Sequence, residues 1–417
     1  MSKRKEAALA PRLRFSEFYN DGAIKHENGS EIFEAISDKN HDCDIPVLAV
    51  TQEHGAIPRD QIDYNVSVTD KSLKSYKVVE IGDFIISLRS FQGGIEYSLY
   101  HGICSPAYII LRKKVPVVEQ YYKHYFKTAK FIQDLNKDLE GIRDGKMVSY
   151  SQFSSILLPR PKAEEQQKIA DCLSSIDDLI AVEDKKLEAL KTHKKGLMQK
   201  LFPAEGKTVP EWRFPEFRDS GDWEEYTLSE TLDSIVDNRG KTPNTAHSGI
   251  ALIEVGAIGN FNINYSKVKK YVSKEVFENW FRVHLKHGDI LFSTVGKIGL
   301  CSYYNHSVVA AVAQNVVGLR FSNNHNSVFM FYLLSEQNNN KYIQSIVMSA
   351  VQPSIKITQF IELVFSIPSL SEQQKIADCL SSIDAFITEQ AKKVEALKAH
   401  KKGLMQSLFP SVAEVSK

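Results

Sequence analysis

Apolar side chains recur at steps of three, four and seven residues in two stretches of this chain. The first runs Ile169, Leu173, Ile176, Ile180, Leu187, Leu190, Leu197 and Leu201, and the second Ile376, Leu380, Ile383, Ile387, Val394, Leu397, Leu404 and Leu408. Such spacing puts the apolar groups on one narrow stripe of a helix, the a/d seam of a coiled coil. Polar residues interrupt each seam twice, at Glu183 and Lys194 and at Gln390 and Lys401. Pro161 and Pro368 precede the helices and Pro203 and Pro410 close them, since proline is tolerated at a helix start and ends a helix interior. The first turns are acidic and the last turns carry His193-Lys-Lys195 or His400-Lys-Lys402, which suits the helix dipole. About 36 residues at 1.5 Å each predict rods of roughly 50 Å. A stripe this narrow needs a partner. The nearest is the other copy, and an antiparallel pair would set the intervening domains at opposite ends. The alternative is that each helix packs only on its own domain.

The two helices are copies. Residues 164–203 and 371–410 lie 207 positions apart and match at 30 of 40 positions. A shorter match, Leu13-Arg-Phe-Ser-Glu-Phe18 against Trp212-Arg-Phe-Pro-Glu-Phe217, opens each half, and Gln152-Phe153 answers Gln359-Phe360. Between these borders the halves share little beyond Gly82-Asp-Phe-Ile-Ile-Ser87 and Gly288-Asp-Ile-Leu-Phe-Ser293. A duplicated scaffold with divergent inserts points to two different ligands presented with one geometry; a plain duplication whose inserts drifted is the alternative. The expected segments are 1–160, a helical spacer 161–210, a second domain 211–367, a second spacer 368–410 and a tail 411–417. Each insert reads as mixed α/β. Strand-like runs lie at Ile45–Thr51, Phe84–Ser87, Ala107–Leu111 and Val308–Val312, and a helix follows in each, Val118 to Leu139 and Ser327 to Met348. The expected class is therefore α/β (α+β): two mixed α/β domains separated by two long antiparallel coiled-coil helices, with an internal pseudo-two-fold repeat.

At 417 residues the chain is too long for one ordinary core. A net charge of +1 excludes a uniformly basic protein but not a local basic patch. The five cysteines are scattered without a C-x-x-C pair, which argues against a zinc knuckle and suits reduced thiols in a cytoplasm. The charged N-terminus does not read as a signal peptide, and no window approaches 18 consecutive apolar residues. Catalytic signatures are missing as well. The glycine-rich turn and Asn/Asp-Pro-Pro-aromatic loop of an adenine methyltransferase do not occur. Arg239-Gly-Lys-Thr242 lacks the upstream glycine of a phosphate-binding loop, and Pro243 obstructs the helix such a loop would start. Asp144-Gly-Lys146 reads as a turn. His284 and His287 have a metal-compatible spacing with no further ligand in pattern, so a solvent-facing or internally satisfied pair is the better reading.

Reading DNA requires polar side chains on loops that reach base edges and phosphates. In the first half the candidates are Arg89, Ser90, Gln92, Gly93, Gly94 and Tyr97, on a glycine-rich loop after a strand, with Ser105 in a second segment. In the second half they are Arg239, Lys241, Thr242 and Asn244, then Thr294 and Lys297, then Gln314 and Asn315. Each alone reads better as a solvated loop residue; the grouping carries the argument. Protein-binding loops would favour aromatic and methionine anchors instead.

The repeated E-Q-Q-K-I-A-x-x-L-x-x-I-D at 165–177 and 372–384, the K-K-G-L-M-Q-x-L-F-P endings and Trp212-Arg-Phe-Pro-Glu-Phe217 resemble the specificity subunit of Type I restriction–modification systems. Gly240-Lys-Thr-Pro243, Gly288-Asp-Ile-Leu291 and Gly296-Lys-Ile-Gly299 resemble it too, whereas the first insert lacks the G-x-T-P opening. The resemblance implies that each insert is a target recognition domain reading one half of a split DNA site. It implies that the helices set the spacing and dock two methyltransferase subunits, with restriction subunits joining the assembly. It also implies a non-catalytic, cytoplasmic chain that binds no cofactor of its own, S-adenosylmethionine, ATP and magnesium belonging to the partners. A specificity subunit of an orphan methyltransferase or a fused system would share this fold, and a coiled-coil scaffold for proteins is the rival from another class.

Overall fold

The computed structural model describes residues 11–41, 44–62, 73–137, 148–238, 242–348 and 351–410. Each predicted long helix is a single continuous one, Ala163–Leu201 and Leu370–Leu408, of 39 residues, or about 58 Å at 1.5 Å per residue. The chain gathers into two compact units, and each long helix is shared between them. Unit 1 spans 1–183 and 393–417, and unit 2 spans 184–392. Each unit thus joins one mixed α/β domain, the first half of the helix that follows it, and the second half of the other helix.

Within each unit the two half-helices run antiparallel, and three of the four residues that interrupt the apolar seams are accounted for by contacts across the pair. In unit 1 Lys401 pairs with Asp177 and Lys393 with Glu183, so ascending positions on one helix meet descending positions on the other. In unit 2 Lys194 holds both carboxylate oxygens of Asp384 at 2.7 Å. Lys194–Asp384 and Lys401–Asp177 are the same pair with the copies exchanged. Cross-helix ion pairs of this kind fix register and orientation more than they add stability.

Unit 1 is built on a four-stranded antiparallel sheet in the order Phe33–Ile36, Ile109–Lys113, Phe84–Ile86, Glu96–Tyr97. A hairpin, Leu48–Thr51 with Gly55–Pro58, and a pair, Lys77–Val79 with Gly102–Cys104, lie beside it, joined by a parallel bridge from Val47 to Ile103. Alternating apolar residues of the sheet meet an aromatic core of Phe33, Phe84, Tyr122, Phe126 and Phe153. Ile169, Ala170 and Leu173 of the first long helix and Leu408 and Phe409 from the end of the second pack into the same core. Unit 2 repeats this plan with the sheet Leu232–Val236, Val316–Phe321, Ile290–Ser293, Cys301–Tyr303. Beside it stands a three-stranded sheet, Lys270–Val272, Ile250–Ile253, Ala310–Val312, whose last two strands are parallel.

The repeated sequence segments are the fasteners between domain and helix. Arg14 makes a two-pronged pair with Glu165 (Nε and Nη2, both 2.7 Å), and its remaining nitrogen donates to the Gly22 carbonyl. Arg213 does the same with Glu372 (2.9 and 2.6 Å) and the Gly221 carbonyl. Gln166 accepts from the Val118 N–H and donates to the Pro161 carbonyl, and Gln373 does so with Asn326 and Pro368. The preserved Gly-Asp before the central strand has the same explanation: Asp83 takes two bonds from Arg112 and Asp289 two from Arg320.

Two expectations need correction. The helix expected from Val118 to Leu139 is two helices, Glu119–Tyr125 and Ala129–Asn136, because Thr128 leaves the helix and caps the second by accepting from the Phe131 N–H. Likewise Ser327–Ser335 and Gln337–Ser345 replace one helix to Met348, with the Glu336 carboxylate capping the second. Among the described residues no helix is long and apolar enough to cross a membrane, and the four described cysteines are free.

The two helix–domain junctions differ in one titrating group. In unit 2 the Tyr332 hydroxyl donates to Asp384 at 2.6 Å. In unit 1 the buried His124 contacts the Ser174 hydroxyl and lies 3.9 Å from Asp177, which Lys401 already holds. Burial, followed by Lys401 and Lys123 and against the pull of Asp177, drives the imidazole pKa well below its usual 6.5. The folded form therefore stays neutral where the unfolded chain takes up a proton. Stability through this group is complete above the unfolded pKa and is lost as pH falls below it, by up to about 1.4 kcal/mol per pH unit. Urea unfolding between pH 7.5 and 5 is expected to show this loss, and His124→Gln to flatten it; an unchanged slope in the variant would place the pH dependence elsewhere.

Candidate nucleic-acid interface

Most candidate residues of the two units occupy corresponding places: they follow the central strand preceded by Gly-Asp, after Ser87 or Ser293, or precede the neighbouring strand, at Ser105 before Ile109 or at Gln314-Asn315 before Val316. Thr242 and Asn244 lie earlier, between Leu232–Val236 and Ile250–Ile253, with no counterpart among the unit 1 candidates.

In unit 1 the loop from Arg89 closes into one helical turn, Ser90–Gly93. Arg89 and Gln92 are exposed and Ser105 is half-buried. The other members hold the loop's shape. Ser90 is buried and its hydroxyl accepts from the Ser87 N–H. Gly93 lies so close to Gln52 that a Cβ would sit 2.5 Å from its amide carbon, and Gly94 has φ +81° against the Phe126 carbonyl. Tyr97 is buried on the Phe84 ring. Two supports come from elsewhere in the chain. The Gln52 amide donates to the Arg89 carbonyl from the Thr51–Gly55 turn, and Lys127 donates to the Gly93 carbonyl while pairing with the buried Glu96. Desolvation pushes the Glu96 carboxyl upward against the pull of Lys127.

In unit 2 three segments converge. The Thr242 hydroxyl donates to the Gln314 side chain at 2.6 Å. The Thr294 N–H donates to the Asn315 carbonyl, and the Thr294 carbonyl accepts from the Ile355 N–H. Thr294 itself is buried; Thr242, Asn244, Lys297 and Gln314 are exposed and Asn315 is half-buried. The Lys297 loop is held from inside and outside. The Ser293 hydroxyl donates to the Lys297 carbonyl and accepts from the Leu300 N–H. Asn340 and Gln344 donate to the carbonyls of Gly299 and Ile298, and the Gly296 N–H donates to Pro353. Arg239 and Lys241 lie outside the described residues, as does Asp144-Gly-Lys146. The sequence reading missed Gln52, Asn340, Gln344 and the segment around Pro353, all supports that meet the loops across long stretches of chain. His284 rests on the Phe277 ring and His287 on Tyr303; among the described residues no three side chains gather as metal ligands.

The family described as Type I restriction modification DNA specificity domain matches residues 22–192 and 220–399, once in each half. The MjaVIII Type I restriction enzyme specificity subunit of Methanocaldococcus jannaschii is 27% identical over 82% of this chain and 81% of its own length. The putative MjaX specificity subunit of the same organism is 25% identical over 84% and 82%. Among solved structures, the S subunit of a Type I restriction–modification system from M. genitalium shares the fold, with a TM-score of 0.58 at 14% identity over 97% of this chain and all of that one. With matches covering most of both halves, the chain belongs to the Type I restriction–modification DNA specificity family and carries that family's domain twice.

Proposed function

We propose that each unit reads one half of a two-part DNA site, and that the helix pair sets the distance between the halves and docks two methyltransferase subunits. The observation that carries this reading is the pairing of loop positions. Two corresponding loops present Arg89, Gln92 and Ser105 in unit 1 and Lys297, Gln314 and Asn315 in unit 2, where a third segment adds Thr242 and Asn244. The helices and the segments that fasten each domain to them are duplicated, with 30 of 40 helix positions unchanged, while the exposed loop residues differ, as two readers of different sequences require. Ser90, Gly93, Gly94, Tyr97 and Thr294 serve this surface as supports for its shape. Arg89, Gln92, Gln314 and Asn315 are of the types that pair with purine edges in the major groove. The chain itself performs no chemistry in this reading. S-adenosylmethionine, ATP and magnesium are held by partner subunits in a cytoplasmic assembly that restriction subunits also join.

The test is Gln314→Ala in the assembled methyltransferase. Loss of a base contact costs about 1–3 kcal/mol of discrimination, so the second half of the methylated motif is expected to relax at one position while the first half stays intact. Relaxation in both halves, or in neither, would contradict the assignment of this loop.

A further inference from the structure

The connection between the strands Ile250–Ile253 and Lys270–Val272 is the place where unit 2 is most enlarged over unit 1. In unit 1 the corresponding hairpin closes in the short turn Thr51–Gly55, which carries Glu53 and His54 and whose Gln52 props the Arg89 loop. In unit 2 it becomes residues 254–269. Two short 3-10 turns, Val255–Ala257 and Tyr265–Lys267, fold it down, and Asn264 caps the second by accepting from the Ser266 N–H. Tyr265 and Val268 pack inward against the cluster around Ile253, Ala257 and Val312. Lys267 and Lys269 are left exposed. Lys270 is occupied, paired with Glu254 at 2.8 Å; Lys267 and Lys269 have no ion-pair partner among the described residues.

The strand directions fix which end of the sheet these lysines occupy. Leu252 faces Lys270 across an antiparallel pair, and Ile253 faces Val312 across a parallel one, with the Ala313 N–H donating to the Ile253 carbonyl. Lys267 and Lys269 therefore stand at the sheet end where Ala313 leads into Gln314 and Asn315. The Thr242–Ala246 segment joins the same face. Its Ala246 N–H donates to Tyr271 and its Thr242 hydroxyl to Gln314. A pair of exposed cations thus stands at the sheet end that carries the polar groups proposed to read bases.

We propose that Lys267 and Lys269 contact DNA phosphates beside the second half-site, fixing the position of unit 2 on the duplex without reading sequence. This rests on the proposed DNA-reading role of the Gln314 loop. Phosphate contacts position a protein and carry no sequence information, and each releases bound counterions and steepens the salt dependence of binding.

The experiment compares the assembled complex of the full chain with its methyltransferase partners in wild-type, Lys267→Ala/Lys269→Ala and Lys267→Arg/Lys269→Arg forms. Binding is titrated from 0.05 to 0.3 M salt on a duplex bearing the methylated motif and on an unrelated duplex. The alanine pair is expected to weaken binding to both duplexes by about tenfold or more near 0.15 M salt and to lower the log–log salt slope by about 1.8, two contacts at roughly 0.9 each. The arginine pair should keep the slope, and the methylated motif should be unchanged in all three. An unchanged slope in the alanine pair overturns the proposal, and so does an altered second half-motif, which would make the lysines base readers. Failure of the underlying reading looks different: the wild type would not distinguish the two duplexes at all.

Discussion

Arg213→Ala is expected to destabilise unit 2 by about 3–5 kcal/mol, the cost of leaving a buried charge without its partner. The Glu372 side chain is 1% exposed and Arg213 only 7%. Both carboxylate oxygens are satisfied by the guanidinium, whose third nitrogen ties down the Gly221 carbonyl. Removing the arginine strands the carboxylate in the seam between the domain and the first turn of its helix. Thermal or urea unfolding reads the effect directly. Arg213→Met with Glu372→Leu should recover most of the loss, because an apolar pair of similar volume has no charge to desolvate. A cost below about 1 kcal/mol for the single variant would mean that water reaches this junction. Arg14–Glu165 does the same work in unit 1, with Arg14 a little more open at 13% exposed, so Arg14→Ala should follow the same direction with a smaller loss.

Gly94→Ala is the second large effect expected. At φ +81° and ψ −164° the backbone lies in a region essentially reserved for glycine, where strain alone costs about 1–3 kcal/mol. A Cβ there would also stand 2.0 Å from the Phe126 carbonyl oxygen. The loop must shift, and it carries Arg89 and Gln92. Unit 1 should lose stability, and methylation of the motif's first half should fall or lose selectivity while the second half is still read. Gly196 is the control. It lies within the first long helix with nothing within 4 Å of its would-be Cβ, so Gly196→Ala should stabilise by about 0.5–1 kcal/mol. Equal behaviour of the two variants would contradict the assigned loop geometry.

The long helices were legible because an a/d stripe repeated over 39 residues is a strong periodic signal, and the duplication made it visible twice. The sequence marked Glu183, Lys194 and Lys401 as faults in the seam; only the pairing of the helices turns them into cross-helix contacts. The breaks at Thr128 and Glu336 escaped because a side chain capping a new turn leaves the apolar period almost undisturbed. The candidate loops were found from residue type and from their place after a strand. Burial then separated Ser90, Tyr97 and Thr294 from their exposed neighbours, which composition does not do. Gln52, Asn340 and Gln344 were invisible because each supports its loop from a distant segment. Lys267 and Lys269 were passed over because a short lysine run in a connection reads as a solvated loop until strand direction sets it beside Gln314.

Base-resolved mapping of adenine methylation in a host with and without this gene tests the central claim most directly. The account predicts a split motif, two short specific halves around a fixed unspecific gap, that is methylated only when the gene is present. A methylation pattern that is identical in both hosts while the methyltransferase partners are expressed would contradict it.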